Sequence, residues 1–383
     1  MPQNTLPPTR DKLLFTPGPL TTSLSVKQAM LHDAGSWHSE FNTVVASIRE
    51  RLLALAGVSR AAGYECVLMQ GSGTFGVESV LASVVPHHSK LLILSNGAYG
   101  ERMILMAAAM RMPIVILRTA EEEIPTAAAV REILQRDPEI THVVMVHCET
   151  TTGILNPIAE VGQVVHECGR QFILDAMSSF GAVPIDFSAI PIDYLISSAN
   201  KCIEGVPGFS FVIARRSALL ATEGIARSLS LDLLGQWKGF EKNGQFRYTP
   251  PTHSILAFQI ALSELEAEGG VVGRASRYAE NHRVLCEGMA RLGFQAHLSP
   301  SVQSYIITSF HFPKDARFNF MDFYHRISEK GMIIYPGKLT KIDCFRIGNI
   351  GRLFAADMRQ VVRAVEEAVT EMGIALPLPK EGF

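Results

Sequence analysis

The chain has 383 residues, 47% of them hydrophobic and 19% charged, a composition too apolar for a disordered protein and typical of a compact one. Its formal net charge of -2 gives no electrostatic reason to expect nucleic acid or an acidic membrane as a partner. The six cysteines include no C-x-x-C pair and the start, "MPQNTLPPTRDK", has no apolar core of the secretory type, so we expect a cytoplasmic protein.

The predicted elements follow an N-terminal extension over residues 1–12. From about residue 65 to 213, helix-like stretches such as "AAAVREILQRD" alternate with short apolar runs, among them "KLLILS", "THVVMVH", "QFILDA" and "IDYLISSA". Runs that are apolar at every position are typical of strands covered on both faces, which predicts a mainly parallel sheet flanked by helices. The pattern changes after "EAEGG". We therefore predict a large α/β domain over residues 13–268 and a smaller α+β domain over residues 269–383.

The most apolar stretch of the sequence is "MILMAAAMRMPIVIL". Arg111 and Pro113 interrupt it, and it is shorter than the roughly 20 apolar residues that a membrane-spanning helix needs. We therefore expect no membrane partner.

A glycine-rich turn, "GSGTFG" at residues 71–76, follows the first of the large-domain strands and matches the dinucleotide pattern G-x-G-x-x-G. A nicotinamide or flavin enzyme would also need an acidic residue at the end of the next strand, about 20 residues on, to hold the ribose. Here that strand ends in Ser-Asn at residues 95–96. The turn instead offers Ser72, Thr74 and a helix N-terminus, which suit one phosphate monoester. Taken alone, a purely structural tight turn explains the motif equally well.

An aspartate and a lysine close two neighbouring strands further along. Asp175 ends "QFILDA", and Lys201 follows "IDYLISSA" 26 residues later. In a parallel sheet both would lie at the same edge. A lysine in an apolar site can exist as a free amine and condense with an aldehyde, and a carboxylate can hold a pyridine nitrogen protonated. This ordered set predicts pyridoxal 5′-phosphate as cofactor; separately, the aspartate could cap a helix and the lysine could lie at the surface.

The chain resembles the class V aminotransferases of fold type I from about Leu13 to Thr370. The segments that carry the resemblance are "LLFTPGPLTTS", "QGSGTFGVE", "SNGAYG", "VHCETTTGILNP", "DAMSSFGAVPID", "ISSANKCIEGVPGFSFVIAR", "SLSLDL", "TPPTH" and "DCFRIGNIG". The resemblance implies a large domain with a mainly parallel, seven-stranded sheet. It also implies that Lys201 forms a Schiff base with the cofactor, that Asp175 pairs with its pyridine nitrogen, and that its phosphate is held by Ser72, Gly73, Thr74 and Asn200.

The resemblance implies roles for four further residues. Tyr99 would stack on the cofactor ring, although a turn tyrosine in the core is an alternative. Thr150 would reach the phenolic oxygen, or merely cap the following turn. Thr252 would cross the interface of a homodimer to the partner's cofactor phosphate. Arg346 would bind the acidic group of the substrate through its planar fork, with a structural salt bridge as the alternative. No metal is implied.

Within the family, the chain is most similar to members that transfer the amino group of 2-aminoethylphosphonate to pyruvate. The expected products are phosphonoacetaldehyde and L-alanine, in the degradation of phosphonates. The nearest alternative is an alanine–glyoxylate or serine–pyruvate aminotransferase of the same class. Desulfuration of cysteine would need a mobile nucleophilic cysteine, and Cys344 lies in an apolar run. A nicotinamide dehydrogenase lacks its ribose acid, and a binding module without activity leaves Lys201 and Asp175 unexplained.

Overall fold

The computed structural model describes residues 11–339 and 342–379. In chain order its strands are β1 (Leu13–Leu14), β2 (Tyr64–Gln70), β3 (Lys90–Ser95), β4 (Ile114–Arg118), β5 (Ile140–Val146), β6 (Cys148–Glu149), β7 (Ile154–Leu155), β8 (Gln171–Asp175), β9 (Tyr194–Ser198), β10 (Phe209–Arg215), β11 (Ile307–His311), β12 (Met332–Ile333), β13 (Tyr335–Pro336) and β14 (Cys344–Gly348). Its helices are α1 (Leu24–Ala29), α2 (Ser39–Leu55), α3 (Gly73–Val84), α4 (Ala98–Ala109), α5 (Ala127–Arg136), α6 (Ile158–Glu167), α7 (Arg216–Leu220), α8 (Leu233–Asn243), α9 (Thr252–Ala267), α10 (Gly270–Arg291), α11 (Phe320–Glu329) and α12 (Ala355–Glu371).

The central sheet has seven strands in the order β2-β10-β9-β8-β5-β3-β4. Only β10 runs antiparallel to its two neighbours, and the pairs from β9 to β4 are all parallel. Every residue of β9 is buried, as are nearly all residues of β2, β5 and β8, because helices cover both faces of the sheet. This confirms the predicted mainly parallel sheet. The carboxyl ends of β2, β3, β5, β8 and β9 consequently lie along one edge.

Side-chain caps begin several helices where the sequence supplies a short polar residue. Thr126 accepts a hydrogen bond from the N–H of Ala129 at the start of α5, over 3.3 Å. The carboxylate of Asp232 accepts one from the N–H of Gly235 at the start of α8, over 2.9 Å. Gly244 caps the C-terminus of α8, and its φ of 77° is the left-handed conformation that glycine adopts at low energy.

A second core lies beneath the three-stranded sheet β11-β14-β13 and the helices α10, α11 and α12. The N-terminal strand β1 belongs to this core, because it pairs in parallel with β12 and Phe15 packs among the same buried residues. The predicted division at residues 268/269 falls in the turn between α9 and α10. It stays a prediction. Most of the predicted extension, residues 1–10, lies outside the described residues, as do 340–341 and 380–383 of the predicted C-terminal domain.

Two absences hold for the described part of the chain. None of its helices is long and apolar enough to cross a bilayer. Nor do three or more histidine, cysteine or acidic side chains within residues 11–339 and 342–379 come together as a metal site.

Candidate active site

A cavity of about 180 Å³ opens at the carboxyl ends of the central strands. Several residues that the sequence predicts for the site line it together: Ser72, Gly73, Thr74, Tyr99, Asp175, Asn200 and Lys201. They come from the ends of β2, β3, β8 and β9, which the parallel sheet brings to one edge. Asp175 and Lys201 therefore face a common space.

Lys201 lies under the loop that follows β1. Its Nζ donates a hydrogen bond to the carbonyl oxygen of Pro17 over 2.7 Å. Gly18 adopts a φ of 119°, and a Cβ there would come within 2.7 Å of both Nζ and Cδ of the lysine. Although Lys201 keeps part of its surface exposed, burial of the amine lowers its pKa to about 8. A large fraction of the amine is therefore neutral at mildly alkaline pH.

Asp175 is the last residue of β8 and is buried. One carboxylate oxygen accepts a hydrogen bond from the N–H of Met177 over 2.9 Å. Burial raises the pKa of Asp175 to about 7, and the charge of Glu149 adds to the rise, while Met177 and Lys201 oppose it. Because burial disfavours the charged form of this carboxyl group, a cationic partner would stabilise it.

The glycine turn forms the other end of the cavity. Ser72 precedes α3 and its hydroxyl makes no capping bond to that helix. A Cβ on Gly73 would lie 2.3 Å from Sδ of Met177, so only glycine leaves the present arrangement undisturbed. The hydroxyl of Thr74 accepts a hydrogen bond from Nη1 of Arg102 over 3.3 Å. The turn thus combines hydroxyls, a helix N-terminus and a cation, which suits an anion.

Two buried hydroxyls near the cavity have no hydrogen-bond partner within the described residues. They are the Oγ1 of Thr150 and the Oγ of Ser198, and Ser198 also lines the cavity. An unsatisfied buried polar group costs about 1–3 kcal/mol, so a partner such as an ordered water, an ion or a ligand is expected for each. The hydroxyl of Ser198 is free to bond to a polar molecule in the cavity, and Thr150 follows Cys148, another lining residue, by two positions.

Tyr99 is held by a buried carboxylate. Its N–H and that of Gly100 donate to Oε2 of Glu149 over 3.1 and 3.3 Å, at the N-terminus of α4. The ring has two cations against it: the guanidinium carbon of Arg102 lies 4.9 Å from the ring centroid, and Nζ of Lys338 lies 4.4 Å from it. Glu149 thereby fixes the start of the helix that carries the aromatic ring.

Arg346 lies on β14 and is only 5% exposed. Its Nε donates to the carbonyl oxygen of Pro336 over 3.0 Å and its Nη1 to that of Thr150 over 2.6 Å. No carboxylate of the described residues is within ion-pair distance, and burial lowers the pKa of Arg346. The residue does not line the cavity itself but contacts the backbone of Thr150, whose hydroxyl is unsatisfied. The alternative of a structural salt bridge finds no partner in this part of the chain.

Thr252 is not brought to this cavity. It is the first residue of α9, and the cavity of its own chain is lined without it. Its expected role in a partner subunit stays a prediction.

Sequence reasoning missed Arg102, Glu149, Ser198 and Lys338. A signal existed for the first three: Arg102 lies three positions after Tyr99 and so shares its helix face, and the other two stand inside the quoted segments "HCETTTG" and "ISSANK". Lys338 follows a proline-glycine turn in a different part of the chain and carries no local signal.

Comparison with known proteins gives the family. Residues 24–350 match the family model described as aminotransferase class-V. The chain is 52% identical over 367 residues to a 2-aminoethylphosphonate–pyruvate transaminase of Syntrophobacter fumaroxidans, covering 96% of this chain and 98% of that protein. It is also 52% identical over 362 residues to the protein of that name from Salmonella typhimurium, covering 94% and 98%.

Solved structures show the same fold. The pyridoxamine–pyruvate aminotransferase of Mesorhizobium loti has a TM-score of 0.87 at 22% identity, covering 98% of this chain and 96% of that one. The alanine–glyoxylate aminotransferase of Nostoc sp. has a TM-score of 0.86 at 24% identity, covering 96% and 97%. Together with the family match and the 52% identity, this confirms the predicted fold and resemblance: the chain belongs to the class V aminotransferases.

Proposed function

We propose that this chain transfers the amino group of 2-aminoethylphosphonate to pyruvate, giving phosphonoacetaldehyde and L-alanine, with pyridoxal 5′-phosphate as cofactor. The observation that carries the proposal is the meeting of Lys201 and Asp175 at one cavity, in a chain 52% identical to transaminases named for these substrates. The reaction would serve the degradation of phosphonates.

The residues of the cavity fit the cofactor. Ser72, Gly73, Thr74 and Asn200 would hold its phosphate, Asp175 its ring nitrogen, and Tyr99 its ring. The unsatisfied hydroxyl of Thr150 would bond to its phenolic oxygen. When bound, pyridoxal 5′-phosphate supplies an aldehyde that condenses with amines and a ring that withdraws electrons from the carbon beside the nitrogen.

Two side chains of the protein would handle protons and charge. The Lys201 amine, with its pKa lowered to about 8, would act as the general base that takes the proton from the amino-bearing carbon and as the acid that later returns one. Asp175 would accept a hydrogen bond from a protonated ring nitrogen, and that cation would lower the pKa of the carboxyl from its raised value.

Arg346 would bind the anionic group of each substrate in turn. Both substrates are small anions, and the guanidinium is buried without an ion-pair partner among the described residues. Its planar fork accepts a carboxylate or a phosphonate through two parallel hydrogen bonds. One binding site can therefore serve both half-reactions.

We also propose a cytoplasmic homodimer. Thr252 lies outside the cavity of its own chain, so it can complete a site only across a subunit interface. All six cysteines are free, in keeping with a reducing compartment.

The experiment is a comparison of amino donors with the purified, cofactor-loaded protein. With pyruvate as acceptor, 2-aminoethylphosphonate should give alanine, whereas L-serine should give little product. With glyoxylate as acceptor, L-alanine should likewise give little product. In the absence of an acceptor, 2-aminoethylphosphonate alone should change the visible absorbance of the protein. Preference for alanine and glyoxylate, or for serine, would instead establish the alternative aminotransferase, and a protein that binds no cofactor would contradict the whole proposal.

A further inference from the structure

We infer that Lys338 is a second anion-binding residue of the active site, which selects a phosphonate-bearing amino donor over carboxylate-bearing ones. The inference rests on the proposed function and adds a residue that determines specificity. It makes the donor's anion site a pair of cations, Arg346 and Lys338, of which the oxo acid needs only the first.

One ring contact and one connection along the chain place Lys338 near the site. Its Nζ lies 4.4 Å from the centroid of the Tyr99 ring, and that ring lines the cavity. Its backbone follows Pro336 by two residues, and the carbonyl oxygen of Pro336 accepts a hydrogen bond from Nε of Arg346 over 3.0 Å. The segment that carries Lys338 is therefore hydrogen-bonded to the guanidinium of Arg346, while the Lys338 ammonium contacts a ring that lines the cavity.

The cations around Tyr99 divide into two groups by their contacts. Arg102 donates to the hydroxyl of Thr74 and so belongs with the glycine turn that suits the cofactor phosphate. Lys338 and Arg346 have no such contact. They form the second group: Arg346 lies on β14, and Lys338 lies in the segment after β13.

Lys338 and Arg346 lack acidic partners in the described part of the chain. Neither forms an ion pair there, and the carboxylate of Glu149, whose charge reaches both, is occupied by backbone donors of α4. Burial lowers the pKa of each, and the charges of Arg102 and Arg346 lower the pKa of Lys338 further. Two neighbouring cations that lack an ion-pair partner are stabilised by an anion that carries more than one charge.

The two substrates differ in that respect. A carboxylate carries one negative charge and two oxygens, which the fork of Arg346 matches completely. A phosphonate resembles a phosphate monoester in carrying between one and two negative charges near neutral pH and three oxygens. A second, rotatable donor such as a lysine ammonium is therefore useful to the phosphonate and redundant for pyruvate.

The test uses three variants of the cofactor-loaded protein. Lys338→Gln removes the charge and keeps most of the length, Lys338→Arg keeps the charge, and Lys330→Gln removes a charge from a surface lysine that pairs with Glu367 and Glu371. Steady-state constants are measured for 2-aminoethylphosphonate and for pyruvate. Binding is measured separately by calorimetry with ethylphosphonate and with propionate, which carry the two anionic groups without an amine.

The expected result is selective. Lys338→Gln should lower kcat/KM for 2-aminoethylphosphonate, and weaken ethylphosphonate binding, by about 10- to 100-fold, as expected for loss of a hydrogen bond between charged groups. The KM for pyruvate and the binding of propionate should change less than about threefold. Lys338→Arg should restore most of the loss, and Lys330→Gln should match the wild type.

Two results would overturn the inference: no change for either anion, or an equal loss for both, which would make Lys338 a general structural residue. If the wild-type protein turned over another amino donor and not 2-aminoethylphosphonate, the proposed substrate itself would be wrong. The wild-type measurement thus separates the two failures.

Discussion

Arg346 donates from Nη1 to the carbonyl oxygen of Thr150 over 2.6 Å, joining residues 196 positions apart. The first belongs to β14 and the second to the turn after β6. Because the carbonyl is neutral, the bond orients the guanidinium without neutralising its charge. The arginine is therefore positioned by the protein and left available to an anion.

Loss of the amine at position 201 should abolish turnover. Lys201→Ala is expected to lower kcat by at least about 1000-fold, since no other group can take its place as base and covalent partner. The visible absorbance of the purified protein should disappear with it. Lys330→Ala, at an ion-paired surface lysine, is the control. Normal turnover by Lys201→Ala would refute the assignment.

The pH dependence of stability should report Asp175. In the cofactor-free protein burial raises its pKa to about 7, against 3.8 for an ordinary aspartate carboxyl, so the folded state binds more protons between these values. The free energy of unfolding therefore falls as pH rises from about 4 to about 7, and Asp175→Asn removes that fall. Urea titrations of both proteins across this range measure it: the variant should become relatively more stable with rising pH.

Asp137→Asn is the matched control for that measurement. Lys90 lowers the pKa of Asp137, so this carboxylate stabilises the fold at higher pH and loses its effect in acid. Because that transition lies below about pH 4, the stability of its variant relative to the wild type should stay nearly constant from about pH 4 to about 7. Parallel curves for Asp175→Asn and the wild type would contradict the raised pKa.

Arg346→Ala should weaken substrate binding. We expect the KM for pyruvate to rise about tenfold or more, because a buried charged hydrogen-bond pair contributes a few kcal/mol. Arg352→Ala, which removes a cation stacked on Phe354 outside the cavity, should leave that KM unchanged. Steady-state kinetics distinguish the cases. An unchanged KM in Arg346→Ala would make this arginine structural.

Gly73→Ala should act on cofactor binding more than on folding. The new Cβ would lie 2.3 Å from Sδ of Met177, whose flexible side chain must move and which also lines the cavity. We expect the dissociation constant for pyridoxal 5′-phosphate to rise by about tenfold, and Met177→Ala in the same chain to restore part of it. Gly35→Ala, whose Cβ would have its nearest neighbour at 3.7 Å, is the control. Equilibrium dialysis gives the constants, and equal affinities would contradict the prediction.

The hydroxyl of Thr150 should matter only when the cofactor is bound. Because it has no partner among the described residues, Thr150→Val should leave the stability of the cofactor-free protein unchanged or raised. Affinity for pyridoxal 5′-phosphate should fall several-fold. Thr152→Val is the contrast: that hydroxyl accepts a hydrogen bond from the N–H of Ile154 over 3.2 Å, so its loss should cost about 1 kcal/mol without any cofactor. Destabilisation of both variants alike would assign Thr150 a structural role.

Much of the site was predictable because local pattern and sheet topology agree. Asp175 and Lys201 each follow an apolar run, and parallel strands bring such positions to one edge whatever the details of packing. The glycine turn was also predictable, because the close approach of Met177 to the backbone of Gly73 leaves no room for a side chain at that position. The charge state was predictable in direction too, because burial disfavours an ammonium wherever it occurs.

The rest depends on contacts between distant parts of the chain. Lys338 meets Tyr99, and Pro17 meets Lys201, only once two separate cores have packed together. No periodicity within either segment carries that information. The same holds for β1, a strand of two residues that pairs with β12 more than 300 positions later and whose place could not be derived from chain order.

Because of the pairing between β1 and β12, the first described stretch of chain connects the two cores. Leu13 and Phe15 are anchored in one core, Val26 is anchored in the other, and the backbone between them presents the Pro17 carbonyl to the lysine. Any movement of one core relative to the other would displace the backbone between Phe15 and Val26. A fusion, deletion or protease cut just upstream of residue 20 would therefore disturb the hydrogen bond between the Pro17 carbonyl and the Lys201 amine.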